Sequence, residues 1–227
     1  MSMIAIIVPS KNPDNAIRCF SAIREHEPCT RIICVDDGAG EQAMSVYSPS
    51  ESMVWIKGES PFIFARNVNK GIAAAGGDDV IICNDDALLM TPGGFTDMAI
   101  AAEKNPEYGV ISASISGFVG NRNQVHTGIG GLRDEPRMVC FIAALIRRNV
   151  IEQVGLLDED FVGYGFDDDS YCLRARRAGY KIGVFDGCVV QHGTLPSTFR
   201  SRPDALALFQ QNDKVFRAKH GAGNHQL

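Results

Sequence analysis

Residues 3–8 (Met-Ile-Ala-Ile-Ile-Val) form an unbroken apolar run, the pattern of a strand covered on both faces rather than a half-exposed one. Pro-Ser-Lys-Asn-Pro at 9–13 breaks the run. The spacing of Ile17, Phe20 and Ile23 then predicts a helix to about residue 26, capped by Asp14 or Asn15. Residues 31–35 predict a second strand, ending in Asp36-Asp37-Gly38. Strand, helix, strand is the parallel βαβ unit, whose ligands gather at the carboxyl ends of the strands, so Pro9-Ser10 and Asp36-Asp37 are expected side by side on one rim. Residues 53–56 predict a short third strand, and 62–75 a helix stopped by Gly76-Gly77. The apolar run 80–83 predicts a fourth, buried strand opening into Asn84-Asp85-Asp86, followed by a helix over 95–104.

The second half is less regular. Residues 108–114 predict a strand, 139–147 are apolar, and 149–154 predict a short helix before Gly155. Between them, 115–137 is rich in Gly, Asn and Arg with little periodicity, too long for an ordinary loop and so expected to be functional or mobile. A glycine-rich approach leads to Asp167-Asp168-Asp169-Ser170, and helical residues run from Tyr171 until Gly179 ends them. Strands are predicted over 181–185 and 188–190, the second ending in Gln191-His192-Gly193. A helix over 204–219 leads to a tail expected to fray or to act as a lid.

Composition narrows the class. Hydrophobic residues at 45% and charged residues at 22% are ordinary globular values. The net charge of −5 argues against a non-specific nucleic-acid or anionic-membrane surface. No apolar run approaches the roughly 20 residues of a membrane span, and the start of the chain lacks the basic flank of a signal peptide. Seven cysteines, without a CxxC pair, read as reduced thiols in a cytoplasmic protein.

Candidate chemistry sits where strands end. Asp85 and Asp86 close a buried strand with no Lys or Arg beside them, which is expensive unless a cation is present. Oxygen ligands suit magnesium or manganese, and a solvated turn is the equal alternative. Asp36-Asp37 reads as a turn or as an acceptor for a base or ribose. Arg66 stands near a helix start, where it meets a phosphate or, as is more common, water. The helix dipole explains one acid of Asp167-Asp168-Asp169 but not three. His192, at a strand end in a chain with spare carboxylates, is a candidate metal ligand. No phosphate-binding GxxxxGK[ST], GxGxxG, HExxH or GxSxG motif is present.

In order along the chain, Ile-Val-Pro-Ser-Lys-Asn (7–12), Val-Asp-Asp-Gly (35–38), Ala-Arg-Asn-Val-Asn-Lys-Gly-Ile-Ala (65–73), Asn-Asp-Asp (84–86), the acidic stretch 155–180 and Gln-His-Gly-Thr-Leu-Pro-Ser-Thr-Phe (191–199) follow one another. This order resembles the family-two glycosyltransferases of the GT-A fold, rhamnosyltransferase-like members most of all. The resemblance implies an α/β fold: a Rossmann-like, nucleotide-binding mixed sheet flanked by helices, in a single compact domain. Residues 1–110 would form the donor half, 111–199 the acceptor and catalytic half, and 200–227 a helical tail. Pro9 and Asp37 would line the nucleotide pocket, Arg66 would contact the nucleotide, and Asp85 would lie near the ribose or sugar. Asp86 and His192 would hold a divalent metal, manganese or magnesium. Asp168 would be the catalytic base, with Asp169 its substitute if the register shifts by one residue. Asp167 stands where the family has Glu, Ser170 where an acid often follows, and Asn84 where the first Asp of the DXD motif is common.

The reading implied is a metal-dependent, inverting transfer of a hexosyl or deoxyhexosyl group from a nucleotide-diphospho sugar to an acceptor hydroxyl. The acceptor is left open among glycan, lipid-linked sugar, protein and modified nucleic acid. The alternatives are a degenerate protein that binds nucleotide or glycan without turnover, and a sugar-nucleotide nucleotidylyltransferase. The second would want a Gly-rich, Arg-containing loop after the first strand, where Pro-Ser-Lys-Asn-Pro stands instead.

Overall fold

The computed structural model describes residues 3–118, 121–135, 137–163, 165–197 and 202–221. Four strands run parallel: β1 (Ile4–Ser10), β2 (Arg31–Asp36), β3 (Met53–Lys57) and β4 (Asp79–Cys83). The sheet continues through β5 (Ala87–Leu89), β6 (Tyr108–Gly117), β7 (Leu132–Glu135), β8 (Ala143–Ile146) and β9 (Lys181–His192). Its order is β3-β2-β1-β4-β8-β6-β9-β5, with β7 also pairing β9, nine strands in all among the described residues. β8 is antiparallel to both β4 and β6, which makes the sheet mixed.

The continuous apolar runs are explained by helices on both faces. In β1, Ile6 and Val8 pack into one cluster with Phe20 and Ile23 of α1 (Pro13–His26) and Phe95 and Met98 of α4 (Gly94–Lys104). Ala5 and Ile7 point the other way, against Val68 and Ile72 of α3 (Phe64–Ala75) and Tyr171 and Ala175 of α6 (Asp167–Arg177). Period-2 alternation sends successive residues to opposite faces, and in β1 both faces are buried from Ala5 to Ser10, as a two-sided sheet demands. α3 approaches β1 so closely that a Cβ on Gly71 would stand 2.3 Å from Ile7 Cγ2. Remaining helices are α2 (Gly40–Val46), α5 (Arg148–Val154) and α7 (Ala205–His220).

Several boundaries differ from the sequence reading, each for a local reason. Asn12, not Asp14 or Asn15, caps α1: its side chain accepts the N–H of Asp14 at 3.0 Å and of Asn15 at 3.3 Å, with Pro13 opening the helix. The short α2, with only Ala43 buried, carries no apolar stripe to read. The two strands expected over 181–190 are one, β9, because a shift of register beside Ala113 and Ser114 absorbs Asp186-Gly187-Cys188. In the described part of the unperiodic stretch 115–137, Ile115 and Leu132 reach the core and buried polar side chains hold much of the rest. Buried Gln124 donates to Ser112 Oγ at 2.7 Å and the Cys140 carbonyl at 3.0 Å, and accepts the Cys140 N–H at 2.8 Å. Asp186 accepts the Thr127 N–H at 3.2 Å. The acids 167–169 lie in the first turn of α6 rather than before it. Residues 198–201 and 222–227, including Phe199, Arg200 and the end of the tail, lie outside the described residues.

Candidate active site

The parallel strands deliver their polar ends to one rim. Ser10 is in register with Asp36, so the first two strand ends are neighbours. The two acids after β2 do different jobs. Asp36 Oδ1 accepts the N–H of Gly38 and of Gly40, both at 2.8 Å, which makes it a turn-forming side chain. Asp37 lines a recess with Gly38, Trp55, Lys57 and Gly58, where burial, against the pull of Lys11, raises its carboxyl above the ordinary value.

Beyond β4, Asp85 and Asp86 are 8% and 5% exposed. Ser10 Oγ donates to Asp85 Oδ2 at 2.7 Å, and Asn15 also hydrogen-bonds this carboxylate. Burial still pushes Asp85 up to about 6, with the charge of Asp86 adding to it. Asn15, whose Nδ2 donates to the Pro196 carbonyl at 3.0 Å, thus ties the loop after β9 to the acid. Sequence reasoning placed Ser10 on the rim but gave neither it nor Asn15 a partner, because both partners lie far away in the chain.

His192 reaches Asp86 through strand pairing. The three-residue β5 runs antiparallel to the end of β9 with Ala87 opposite His192, so the histidine stands beside the residue preceding Ala87. Its Nε2 lies 3.4 Å from Asp86 Oδ1 and its Nδ1 lies 2.7 Å from the Phe118 carbonyl oxygen. A carbonyl only accepts, so Nδ1 carries the proton and Nε2 turns toward the carboxylate. Neutral imidazole in that tautomer sets one lone pair against another, an arrangement that a cation between them, or a second proton on the ring, makes favourable. Two glycines permit this clamp. A Cβ on Gly117, at φ 101°, would meet the His192 carbonyl at 2.3 Å, and one on Gly193, at φ 89°, would meet Phe118 Cβ at 2.6 Å. Among the described residues no three His, Cys, Asp or Glu side chains enclose a metal. Asp86 nevertheless offers a hard oxygen of the type manganese or magnesium accepts, and His192 an imidazole, a donor that suits transition metals.

Across a cleft of about 410 Å³ from these groups stand Asp167, Asp168 and Asp169. The loop before them turns through left-handed conformations at Gly163 (φ 77°), Gly165 (φ 86°) and Phe166 (φ 75°). Phe166 is the only non-glycine among the described residues with positive φ, and such a residue costs about 1–2 kcal/mol. Asp168 Oδ1 accepts the Asp169 N–H at 2.9 Å, and the Phe141 N–H also bonds its carboxylate. Part of each acid remains open to the cleft. Burial, and then the charge of Asp168, pushes Asp167 up to about 8. Asp168 and Asp169 are likewise raised, by burial and by their acidic neighbours, while Arg137 opposes the rise of Asp169.

The structure thus brings Pro9, Asp85, Asp86, His192 and the three acids of α6 onto one cleft. Arg66 is not among its lining residues; its guanidinium lies 3.6 Å from Glu59 and 3.5 Å from Glu159 at the rim. Asp37 opens into the neighbouring recess.

A mixed sheet of this order, flanked by helices and presenting its site on one rim, is the GT-A fold. The chain belongs to glycosyl transferase family 2, whose sequence profile matches residues 5–155. An uncharacterized protein of Sinorhizobium fredii (strain NBRC 101917 / NGR234), y4gI, is 24% identical over 210 residues, 78% of this chain and 23% of that protein. Among solved structures, GalNAc-T7 with UDP, GalNAc and Mn2+ superposes with a TM-score of 0.74 at 10% identity, over 95% of this chain and 48% of the other. The mannosyltransferase PcManGT of Pyrobaculum calidifontis, in complex with GDP-Man and Mn2+, gives 0.70 at 18% identity, over 96% and 64%. S. aureus TarS with UDP-GlcNAc gives 0.65 at 12%, over 95% and 66%. The chain therefore spans about a quarter of that curated relative and about half to two thirds of these structural neighbours. No described helix is long and apolar enough to cross a membrane.

Proposed function

We propose that this chain transfers a sugar from a nucleoside-diphospho sugar to an acceptor hydroxyl, with inversion and with the help of a divalent metal. The observation that carries the reading is the facing pair Asp86 and His192, set across one cleft from the acids of α6. Two proteins that share the fold, GalNAc-T7 with UDP, GalNAc and Mn2+ and PcManGT with GDP-Man and Mn2+, support it. Here Asp86 and His192 would hold the metal, which would supply neutralisation of the charge developing on the leaving diphosphate. Pro9 and Asp37 would bind the base, and Asp85, aimed by Ser10, the ribose or donor sugar. Arg66 would contact the nucleotide after exchanging its Glu59 and Glu159 partners.

On the acceptor side, Asp168 would take the hydroxyl proton, with Asp169 next in line. Burial raises both, which makes a carboxylate a stronger base near neutral pH. The acceptor oxygen bonds to the anomeric carbon as the bond to the diphosphate oxygen breaks, and that bond's electron pair leaves with the nucleotide. Residues 1–110 would then be the donor half and 111–199 the acceptor half. A reducing, cytoplasmic setting is part of the same proposal.

Calorimetric titration of UDP, GDP and dTDP, with and without manganese, tests the donor site. One nucleotide should bind in a manganese-dependent way, and Asp86→Ala should weaken it about 100-fold. Absence of binding for all three, with metal present, would refute the transferase reading. Metal-dependent binding without turnover of any sugar nucleotide would favour a binding protein instead.

A further inference from the structure

We propose that α7, through the buried side chain of Asn212, is the element that positions the acidic turn of α6, making Asn212 a positioning residue for transfer. This rests on the transferase reading above. Asn212 is fully buried, an uncommon place for an amide unless it is satisfied. Its Oδ1 accepts the Val162 N–H at 3.1 Å, and its Nδ2 donates to the carbonyls of Val162 at 2.9 Å and Gly165 at 3.0 Å. One amide thus holds both ends of the 162–165 loop, as a neighbouring strand would.

That loop needs holding. Gly163, Gly165 and Phe166 are all left-handed, and Asp167 follows at once. α7 also supplies the packing that the glycines admit. A Cβ on Gly163 would meet Leu208 Cδ1 at 2.6 Å, and one on Gly165 would meet Phe209 Cδ2 at 3.0 Å. The Phe166 ring lies 4.8 Å from Phe209 and 5.5 Å from Phe216, centroid to centroid. At the far end of α7, Lys219 reaches Asp158 and Asp160, each at 2.6 Å, and His220 Nε2 lies 2.9 Å from Ser170 Oγ. Both the approach to the acids and the turn that carries them are therefore fastened to α7. None of these contacts touches Asp85, Asp86 or His192, so loss of the clamp should disturb turnover and spare donor binding.

The test uses the full chain carrying Asn212→Leu, or the near-isosteric Asn212→Asp, which keeps the acceptor for Val162 and loses both donated bonds. Leu206→Ser, at a 70% exposed position of the same helix, is the control. Nucleotide affinity is read by titration of UDP, GDP and dTDP with manganese. Turnover is read as nucleoside diphosphate released from UDP-glucose, UDP-N-acetylglucosamine, GDP-mannose and dTDP-rhamnose, with water as acceptor. A displacement of about 1 Å in a reacting group lowers rate by up to about 100-fold. The expected result is a kcat reduced roughly 10- to 100-fold, with nucleotide affinity and donor KM changed less than about threefold. Amide exchange over 162–170 should quicken while that over 80–90 stays constant. Unchanged kcat or unchanged exchange in a folded Asn212 variant would overturn the proposal. So would parallel loss of nucleotide binding, or failure of both variants to fold, since either makes α7 a support of the whole domain. A wild-type chain that neither binds nor turns over any nucleotide defeats the transferase reading and this inference with it. Amide exchange would still report whether α7 holds the loop.

Discussion

Replacing Asp167 by asparagine should stabilise the metal-free protein, and increasingly so as pH rises. In the folded chain its carboxyl is pushed from 3.8 up to about 8, first by burial and then by the charge of Asp168. The folded state therefore holds this proton more tightly than the unfolded chain does. Its stabilising effect is complete below the unfolded value, near pH 4, and is lost as pH climbs toward 8. Each tenfold change in proton affinity is worth about 1.4 kcal/mol, which sets a ceiling of roughly 6 kcal/mol across that window. Water entering the cleft screens the half-open carboxylate, so a gain of about 1–3 kcal/mol at pH 8 is expected. The same substitution removes a charge that raises Asp169, which works in the same direction. Urea unfolding of both proteins in chelator, at steps from pH 5 to pH 8.5, reads the gap directly with the m-value as a check on compactness. The stability of Asp167→Asn minus that of wild type must widen with pH. Parallel curves, or a gap that narrows, would refute the claim that this acid is held against its charge.

Ser10→Ala removes the 2.7 Å bond that favours the ionised form of Asp85. It should cost about 1–2 kcal/mol at pH 8 and less at pH 5, where the carboxyl is protonated; equal losses at both pH values in the same urea series would contradict this. Gly71→Ala drives a methyl into Ile7 Cγ2, 2.3 Å away, and should destabilise the fold by about 1–3 kcal/mol, shown by a lower thermal midpoint. A midpoint at or above the wild-type value would mean that α3 moves off the sheet freely.

A cleft crowded with buried acids fits the transfer chemistry proposed above. Five carboxylates line one cavity, and Lys11 is the only Lys or Arg among its described lining residues. The resting domain therefore holds charge that a metal, and a proton moving onto an acid, would relieve. The strained Phe166 turn and the raised acid beside it belong to the same arrangement, in which local stability would yield to the proposed function.

Much of this was legible in the chain. The apolar runs 3–8, 31–35 and 80–83 declare a sheet covered on both faces, since period and composition are local properties. Asp85, Asp86, Asp167, Asp168, Asp169 and His192 stood out because acids and a histidine at strand ends and helix starts need a reason to be there. Elements without an apolar stripe were not legible: α2, and the four-residue β7, which is held by pairing with β9 and has Leu132 as its one apolar side chain. Only the tertiary structure could decide which of these groups meet. His192 faces Asp86 because three residues of β5 pair in one register with the end of β9, and a slip of one residue would turn its ring to the other face. Asn212 reaches the 162–165 loop because α7 docks against that loop, with Leu208 and Phe209 beside its glycines. Pairing between residues far apart in the chain depends on register and helix docking, which no local pattern encodes, and so the sequence by itself determined the parts of the site and the fold determined their geometry.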